Sequence, residues 1–238
     1  MARTLTADRV VFYAATAATV AGAIVESEDV QRVAKPLIAP ALAVGVLRRP
    51  GADRVDRALL VAGLAAATVG DVHMIRPDDD RSIVRGASAF GVMQACYSAL
   101  LLRRDARPTA PAALPRVAGW AAAALALRSG SRPVAAPLSA YGLALGTSTT
   151  LASDPALAPG ARAVAGVVVP GSDPRSRLAA GAASFTVSDG LIVVRRLFVR
   201  GRRARAFAEG AILATYATAQ ALLVDGMNTA GTNSRGRR

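Results

Sequence analysis

The chain alternates between long apolar blocks and short gaps that are rich in arginine, glycine and proline. Blocks of roughly this length cross a bilayer as helices, since about 20 apolar residues span its hydrocarbon core. Eight such blocks run over residues 10–25, 33–47, 58–75, 83–102, 112–127, 134–152, 178–199 and 208–224. The pattern predicts an all-α, polytopic integral membrane protein with about eight transmembrane helices in one domain (1–238), ending in a flexible tail over residues 225–238.

Two stretches depart from this regular pattern. The second block contains Pro36 and Pro40, and prolines inside a helix kink it and free backbone carbonyls. The gap between the sixth and seventh blocks contains the apolar piece Ala161–Pro170. It is too short to span, so we expect it to lie in the interface or to re-enter the membrane. The first block, which follows Arg3 and Arg9, resembles a signal peptide, but the many later blocks favour an uncleaved span.

Composition and charge support the membrane class. Hydrophobic residues make up 53% of the chain, and the mean hydropathy is +0.35. The net charge of +13 would suit a nucleic-acid binder. However, the basic residues punctuate the apolar blocks, as expected of juxtamembrane arginines, and we predict no nucleic-acid partner. The lone Cys96 cannot form an internal disulfide.

Topology follows from the number of blocks and the distribution of arginine. Eight spans place both termini on one side of the membrane. More loop arginines fall on the terminal side than on the opposite side, so the positive-inside rule predicts a cell-membrane protein with cytoplasmic termini.

An internal similarity links the fourth and seventh blocks. The segments 86–94 and 181–189 share glycine, alanine, phenylalanine and valine in register, and Gln94 stands where Asp189 stands. Either an internal duplication or chance similarity between two small-residue helices explains the match. In both cases, two membrane helices carry one polar group at the same place.

Polar groups at membrane depth are the candidate functional residues, because they are costly there and usually face a cavity or a partner. They are Lys35, Asp71, Gln94, Tyr97, Ser188, Asp189, Tyr216 and Gln220. At about 1.5 Å rise per residue, Lys35 and Asp71 lie under ~10 Å from one surface and most of the others lie ~13–21 Å deep. The set predicts a shaft from one surface to mid-bilayer. Interhelical hydrogen bonding, with a Lys35–Asp71 ion pair, is the alternative.

Two acids on separate spans favour catalysis over simple packing. A carboxyl group removed from water tends to keep its proton, whereas one beside a lysine tends to stay ionised. General acid–base hydrolysis needs one group of each kind. The three acids Asp78, Asp79 and Asp80 come with no metal-ligand spacing, so we interpret them as a solvated loop and predict no metal or other cofactor.

These landmarks resemble the YhhN-like family of integral membrane proteins, the lysoplasmalogenases. The matching motifs are Lys35-Pro36-Leu37, Gly70-Asp71, Gly86 with Phe90 and Tyr97, Gly181-Ala182 with Phe185, Ser188-Asp189, and Tyr216 with Gln220. The resemblance implies an eight-helix enzyme that hydrolyses the vinyl ether bond of lysoplasmalogens to a fatty aldehyde and a glycerophospho-headgroup. It implies that Asp71 and Asp189 are catalytic. The family usually has histidine where this chain has Gln94, and glutamine cannot exchange a proton near pH 7.

Two hypotheses of function follow. The first is a membrane hydrolase acting on a lysolipid or related amphiphile, with Asp71 and Asp189 as the acid–base pair and the other polar groups orienting the substrate. The second is a non-catalytic lipid-binding protein or proton-coupled transporter that uses the same acids as a relay.

Overall fold

The structure is a computed structural model, and it describes residues 6–164 and 167–230. Over that range the chain forms helices α1 (Ala7–Ile24), α2 (Glu28–Ala34), α3 (Ile38–Leu47), α4 (Arg54–His73), α5 (Asp80–Leu102), α6 (Ala110–Gly130), α7 (Arg132–Leu151), α8 (Arg177–Leu197) and α9 (Arg202–Ala230). The predicted all-α class is confirmed. Each of the eight apolar blocks overlaps one helix, except the second, which forms both α2 and α3.

Proline breaks the second block, as its position predicts. Helix α2 ends at Ala34, and a single 3₁₀ turn, Lys35–Leu37, precedes α3. Pro36 lies in this turn, where its missing N–H leaves no helical hydrogen bond unmade. The break places Lys35, which is 3% exposed, at a joint between two helices.

Two segments differ in form from the expectation. The apolar piece between α7 and α8 forms a short antiparallel hairpin of β1 (Arg162–Val164) and β2 (Val167–Val169). It packs against α6 and α8, so strand pairing satisfies its backbone groups. Helix α9 continues through the start of the predicted tail to Ala230, where Asp225 forms an ion pair with Arg9 of α1. The rest of that tail, 231–238, lies outside the described residues.

The helices close into a ring. Each helix contacts the next one in the order α1, α3, α4, α5, α7, α8 and α9, and α9 in turn contacts α1. Helix α6 stands outside this ring and packs against α7 and, more sparsely, against α8. Its buried residues are Ala112 and Leu127, so most of its surface faces outward.

Glycines let the ring helices approach closely. A Cβ at Gly63 would lie 2.7 Å from the ring of Tyr97, and one at Gly70 would lie 2.8 Å from the ring of Phe90. Each aromatic side chain of α5 thus fills a notch on α4. Small residues at helix contacts are typical of membrane bundles, because lipid is as apolar as the protein interior and packing must supply the attraction.

The outer surface of the bundle is apolar. Leu114, Leu125 and Phe207 are each more than 60% exposed, which suits contact with lipid. Among the residues that the structure describes, four helical segments are long and apolar enough to cross a membrane by length and composition: Glu28–Leu47, Ala110–Gly130, Pro174–Leu197 and Arg202–Asn228.

Gly181 provides a test of close packing between α8 and α9. A Cβ there would lie 2.8 Å from the backbone nitrogen of Leu223 and 3.1 Å from the carbonyl oxygen of Ala219. Neither backbone atom can rotate away, so we expect Gly181→Ala to cost about 1–3 kcal/mol, the usual range for overpacking. Thermal unfolding in detergent measures this cost. The control Gly91→Ala, where a Cβ meets nothing within 4 Å, should be neutral or slightly stabilising, and equal melting temperatures for both variants would refute the close contact.

Candidate active site

A cavity of about 250 Å³ lies where α6, α7 and α8 face the inside of the ring. Its lining includes residues of α4, α5 and α9 as well. Both intramembrane acids, Asp71 on α4 and Asp189 on α8, line this one cavity. The fold thus brings two carboxyl groups that are 118 positions apart in sequence to one cavity inside the bundle.

The predicted site residues divide into two groups. Lys35, Asp71, Ser188, Asp189 and Tyr216 line the cavity. Gln94, Tyr97 and Gln220 lie behind its wall, and each is 1% exposed or less. The second group therefore acts on the cavity only through the residues it contacts.

Asp71 is held by a chain of hydrogen bonds that starts on α5. Tyr97 donates to Gln220 Oε1 at 2.9 Å, Gln220 Nε2 donates to the Tyr216 hydroxyl at 3.3 Å, and Tyr216 donates to Asp71 Oδ2 at 3.0 Å. The other carboxyl oxygen, Asp71 Oδ1, is buried without a protein hydrogen-bond partner. A buried oxygen of this kind is costly unless a ligand or solvent satisfies it.

Asp189 also accepts a hydrogen bond from a tyrosine. Tyr141 on α7 donates to Asp189 Oδ2 at 2.5 Å, and both residues line the cavity. Tyr141 is not singled out by the sequence, because a tyrosine in an apolar span has no motif around it. Each acid is thus oriented by one phenolic hydroxyl from a neighbouring helix.

The two similar segments meet at Tyr216. Phe90 and Phe185, which occupy the same position in the segments 86–94 and 181–189, both place a ring edge-on to Tyr216 at centroid distances of 5.6 and 5.8 Å. Edge-to-face contacts of this kind stabilise a ring orientation. They fix the hydroxyl that reaches Asp71.

Gln94 lies against α7, beside Ser148 and Tyr141. It is fully buried, its Oε1 accepts a hydrogen bond from Ser148 of α7, and its Nε2 has no protein partner. Since Asp189 also bonds to α7, this helix joins the two matched polar positions. Ser188 likewise bonds between helices, donating to the Ile212 carbonyl oxygen at 3.0 Å.

Lys35 does not pair with Asp71 in the way the sequence suggested. Its ammonium group donates to the Met74 carbonyl oxygen at 2.8 Å, at the end of α4. The carbonyls at a helix C-terminus carry partial negative charge and attract a cation. Lys35 still lines the cavity beside Asp71, so it contributes positive charge to that end without a direct ion pair.

Arg195 and Arg196, near the end of α8, line the same end of the cavity as Lys35. Arg195 pairs with Asp78 at 2.9 Å and with Glu209 at 3.1 Å. Arg196 pairs with Asp80, and the Asp79 carboxylate accepts from the Ser82 backbone N–H at 3.0 Å and caps α5. The three consecutive acids thus have structural partners. Within 6–164 and 167–230 no group of three His, Cys, Asp or Glu side chains is placed to hold a metal ion.

Arg116 is a second cavity residue that the sequence interpretation passed over. It lies within α6 and bonds to Thr149 Oγ1 at 3.0 Å and to Ser153 Oγ at 2.8 Å, both on the α7 side. A lone arginine in an apolar block is the signal that identifies it, since charges at membrane depth are rarely incidental. It ties α6 to the ring at the end of the cavity away from Arg195.

Comparison with known proteins gives one match. A family model described as the YhhN family matches residues 30–227. No curated protein and no solved structure matches the chain significantly.

The Asp78 ion pairs predict a pH-dependent stability. Partial burial raises the pKa of the Asp78 carboxyl, but the hydrogen bond from Arg195 and the charges of Arg195 and Arg205 outweigh it, so its pKa lies below the usual value. A carboxyl with a lowered folded-state pKa stabilises the fold above the unfolded value and loses this contribution as pH falls through the folded value. Asp78 is more than half exposed, so we expect about 1 kcal/mol or less.

Asp78→Asn should therefore lower the melting temperature in detergent at pH 7 by roughly 2–4 °C and have no effect near pH 2. Asp29→Asn, at an acid whose side chain is almost fully exposed, is the control. A loss of the same size at both pH values would show that the carboxylate charge is not what stabilises this end.

Proposed function

The YhhN family model covers residues 30–227, so the protein belongs to the YhhN family, and we propose that it is a membrane hydrolase that cleaves the vinyl ether bond of a lysolipid. Members of this family are polytopic membrane proteins, so the helical ring is a multi-pass membrane domain. The observation that carries the proposal is the pair of carboxyl groups on one cavity, each bonded to a tyrosine. The resemblance to lysoplasmalogenases supplies the class of substrate.

The roles of the two acids are assigned from their positions in the cavity. Asp189 stands next to Gly190, on a wall whose residues are partly exposed, so it meets the substrate first and acts as the proton donor. Asp71 is 1% exposed and has the unpartnered Oδ1, so it holds and activates the attacking water. Its neighbour Lys35 balances charge at this end.

The reaction balances with these two groups alone. Asp189 gives its proton to the vinyl carbon that is not bonded to oxygen, which leaves an oxocarbenium ion. Water attacks the carbon bonded to oxygen while Asp71 takes a proton from the water, and a hemiacetal forms. Asp71 then returns that proton to the glycerol oxygen as the carbon–oxygen bond breaks, and Asp189 takes the hemiacetal hydroxyl proton. The products are a fatty aldehyde and a glycerophospho-headgroup, and both acids regain their starting states.

The two carboxyl groups also stabilise the cation between them. An oxocarbenium ion forms in a space of low dielectric, where fixed negative groups interact with it more strongly than in water. Tyr141 and Tyr216 fix the orientation of those groups before the substrate binds, which avoids reorganisation during the reaction. Gln94 lies against Tyr141, the residue that donates to Asp189, so the departure at this position acts on the site through that tyrosine.

The acids are the first test. Asp71→Asn and Asp189→Asn should each lower the rate of aldehyde release from a purified lysoplasmalogen by at least 100-fold, the scale of general acid–base catalysis. Expression and melting temperature should stay near those of the parent, and Asp29→Asn should be fully active. If either cavity variant keeps most of its activity, the two-acid mechanism is wrong. If the parent protein binds lysolipid but releases no aldehyde, the lipid-binding or transport hypothesis takes its place.

We further propose that the termini are cytoplasmic, on the strength of the arginine distribution. In a Cys96→Ala background, Ser129→Cys near the end of α6 and Ser172→Cys before α8 mark the two sides, and both serines are exposed. A membrane-impermeant maleimide added to intact cells should label Ser129→Cys only. Labelling of Ser172→Cys only would reverse the orientation.

A further inference from the structure

The cavity opens sideways rather than only toward one membrane surface. Of its lining residues, those that are exposed are Pro115 and Gly119 on α6 and Thr186 and Gly190 on α8. The residues from α4, α5, α7 and α9 that line it are buried or half-buried. The opening is therefore a slit between α6, which stands outside the ring, and α8.

The slit lies at the depth of the lipid chains. Helices α6 and α8 end at Gly130 and Leu197 on the same side of the bundle, since a Cβ at Gly130 would lie 2.8 Å from the Leu197 side chain. At about 1.5 Å per residue, Gly119 lies about 16 Å and Gly190 about 10 Å from those ends. The hydrocarbon core is about 30 Å thick, so both glycines face acyl chains and not headgroups or water.

Three glycines widen the cavity without serving helix packing. A Cβ at Gly119, Gly146 or Gly190 would meet nothing within 4 Å, although all three line the cavity. By contrast, a Cβ at Gly181 would collide with the backbone of α9. Glycine disfavours a helix relative to alanine, and here no close helix contact explains it. What these glycines provide is open volume in the cavity.

The size of the cavity limits what it can enclose. Sites for drug-sized ligands usually measure roughly 300–1,000 Å³, and this cavity measures about 250 Å³. A single-chain lipid is too large to lie wholly inside, so part of it must leave through an opening. The end that holds Lys35, Arg195, Arg196 and Glu209 carries charges of both signs and suits a polar headgroup, and the slit suits an apolar chain.

We propose that the slit between α6 and α8 is the entry path and seat of the acyl or alkenyl chain of a single-chain lipid, which reaches the cavity directly from the bilayer. The chain lies over Gly119 and Gly190, the reacting bond lies beside Asp189, and the headgroup points toward Lys35. The assignment of the lipid class rests on the proposed function. The path itself rests on the exposed lining residues, the open glycines and the unpartnered Asp71 Oδ1 in the same cavity.

Fluorescence quenching locates the chain without requiring hydrolysis. In the Cys96→Ala protein, Gly119→Cys carries a bimane label, and the probe is lysophosphatidylcholine with a nitroxide on either its chain or its headgroup. The chain-labelled probe should quench the bimane saturably and more strongly than the headgroup-labelled probe, and unlabelled lysolipid should reverse this. Bimane at Gly91→Cys, on α5 and away from the cavity lining, should show only unsaturable quenching by bulk lipid. Equal, unsaturable quenching at both positions would overturn the proposal.

Filling the slit provides the second measurement. Gly119→Leu and Gly190→Leu each add a side chain where the structure has room, so both should fold with melting temperatures near that of the parent. We expect each to weaken binding of chain-labelled lysolipid at least tenfold, whereas Gly91→Leu should leave it unchanged. Parent-like binding in both filled variants would overturn the lateral path.

These outcomes separate the path from the reaction. Saturable quenching at Gly119→Cys in a protein that releases no aldehyde would support the path and reject the proposed hydrolysis. Aldehyde release that is unaffected by Gly119→Leu and Gly190→Leu would do the reverse.

Discussion

A carboxyl group among lipid chains needs hydrogen-bond donors from the helices around it, and this requirement organises the bundle. Asp71 obtains its donor from α9 and Asp189 obtains its donor from α7, in both cases a tyrosine hydroxyl. Each bond therefore does two things, because it satisfies an acid and it joins two helices. Tyr216 itself packs against Phe90 of α5 and Phe185 of α8. The orientation of Asp71 therefore depends on aromatic packing from two further helices.

Much of this arrangement could be predicted from sequence. The eight segments follow from the length of the apolar blocks, the break at Pro36 follows from its missing N–H, and Asp71 and Asp189 stand out because acids are rare in such blocks. The approximate depths of these groups follow from helical rise alone. The shaft predicted from these depths already placed the two acids in one space, but depth says nothing about which helices are neighbours.

Three features of the site had no sequence signal of that kind. Tyr141 resembles any interfacial or core tyrosine until its distance to Asp189 is known. The position of α6 outside the ring is hidden, because lipid and protein interior are equally apolar and an outer helix has the same composition as an inner one. Gln94 was expected in the site as a polar group at membrane depth, and its contact with Ser148 of α7 had no sequence signal.

The contact between α1 and α9 is the last one in the ring to form during synthesis. Ribosomes deliver helices in order, and α1 packs on α9, the last helix in the described part of the chain. The donor for Asp71 comes from that same helix. During synthesis, Asp71 thus sits in a bundle that still lacks its tyrosine, and a chain that stops before α9 retains an unsatisfied acid at membrane depth. Closure of the ring and completion of the site are therefore one event, because α9 both packs on α1 and supplies the donor for Asp71.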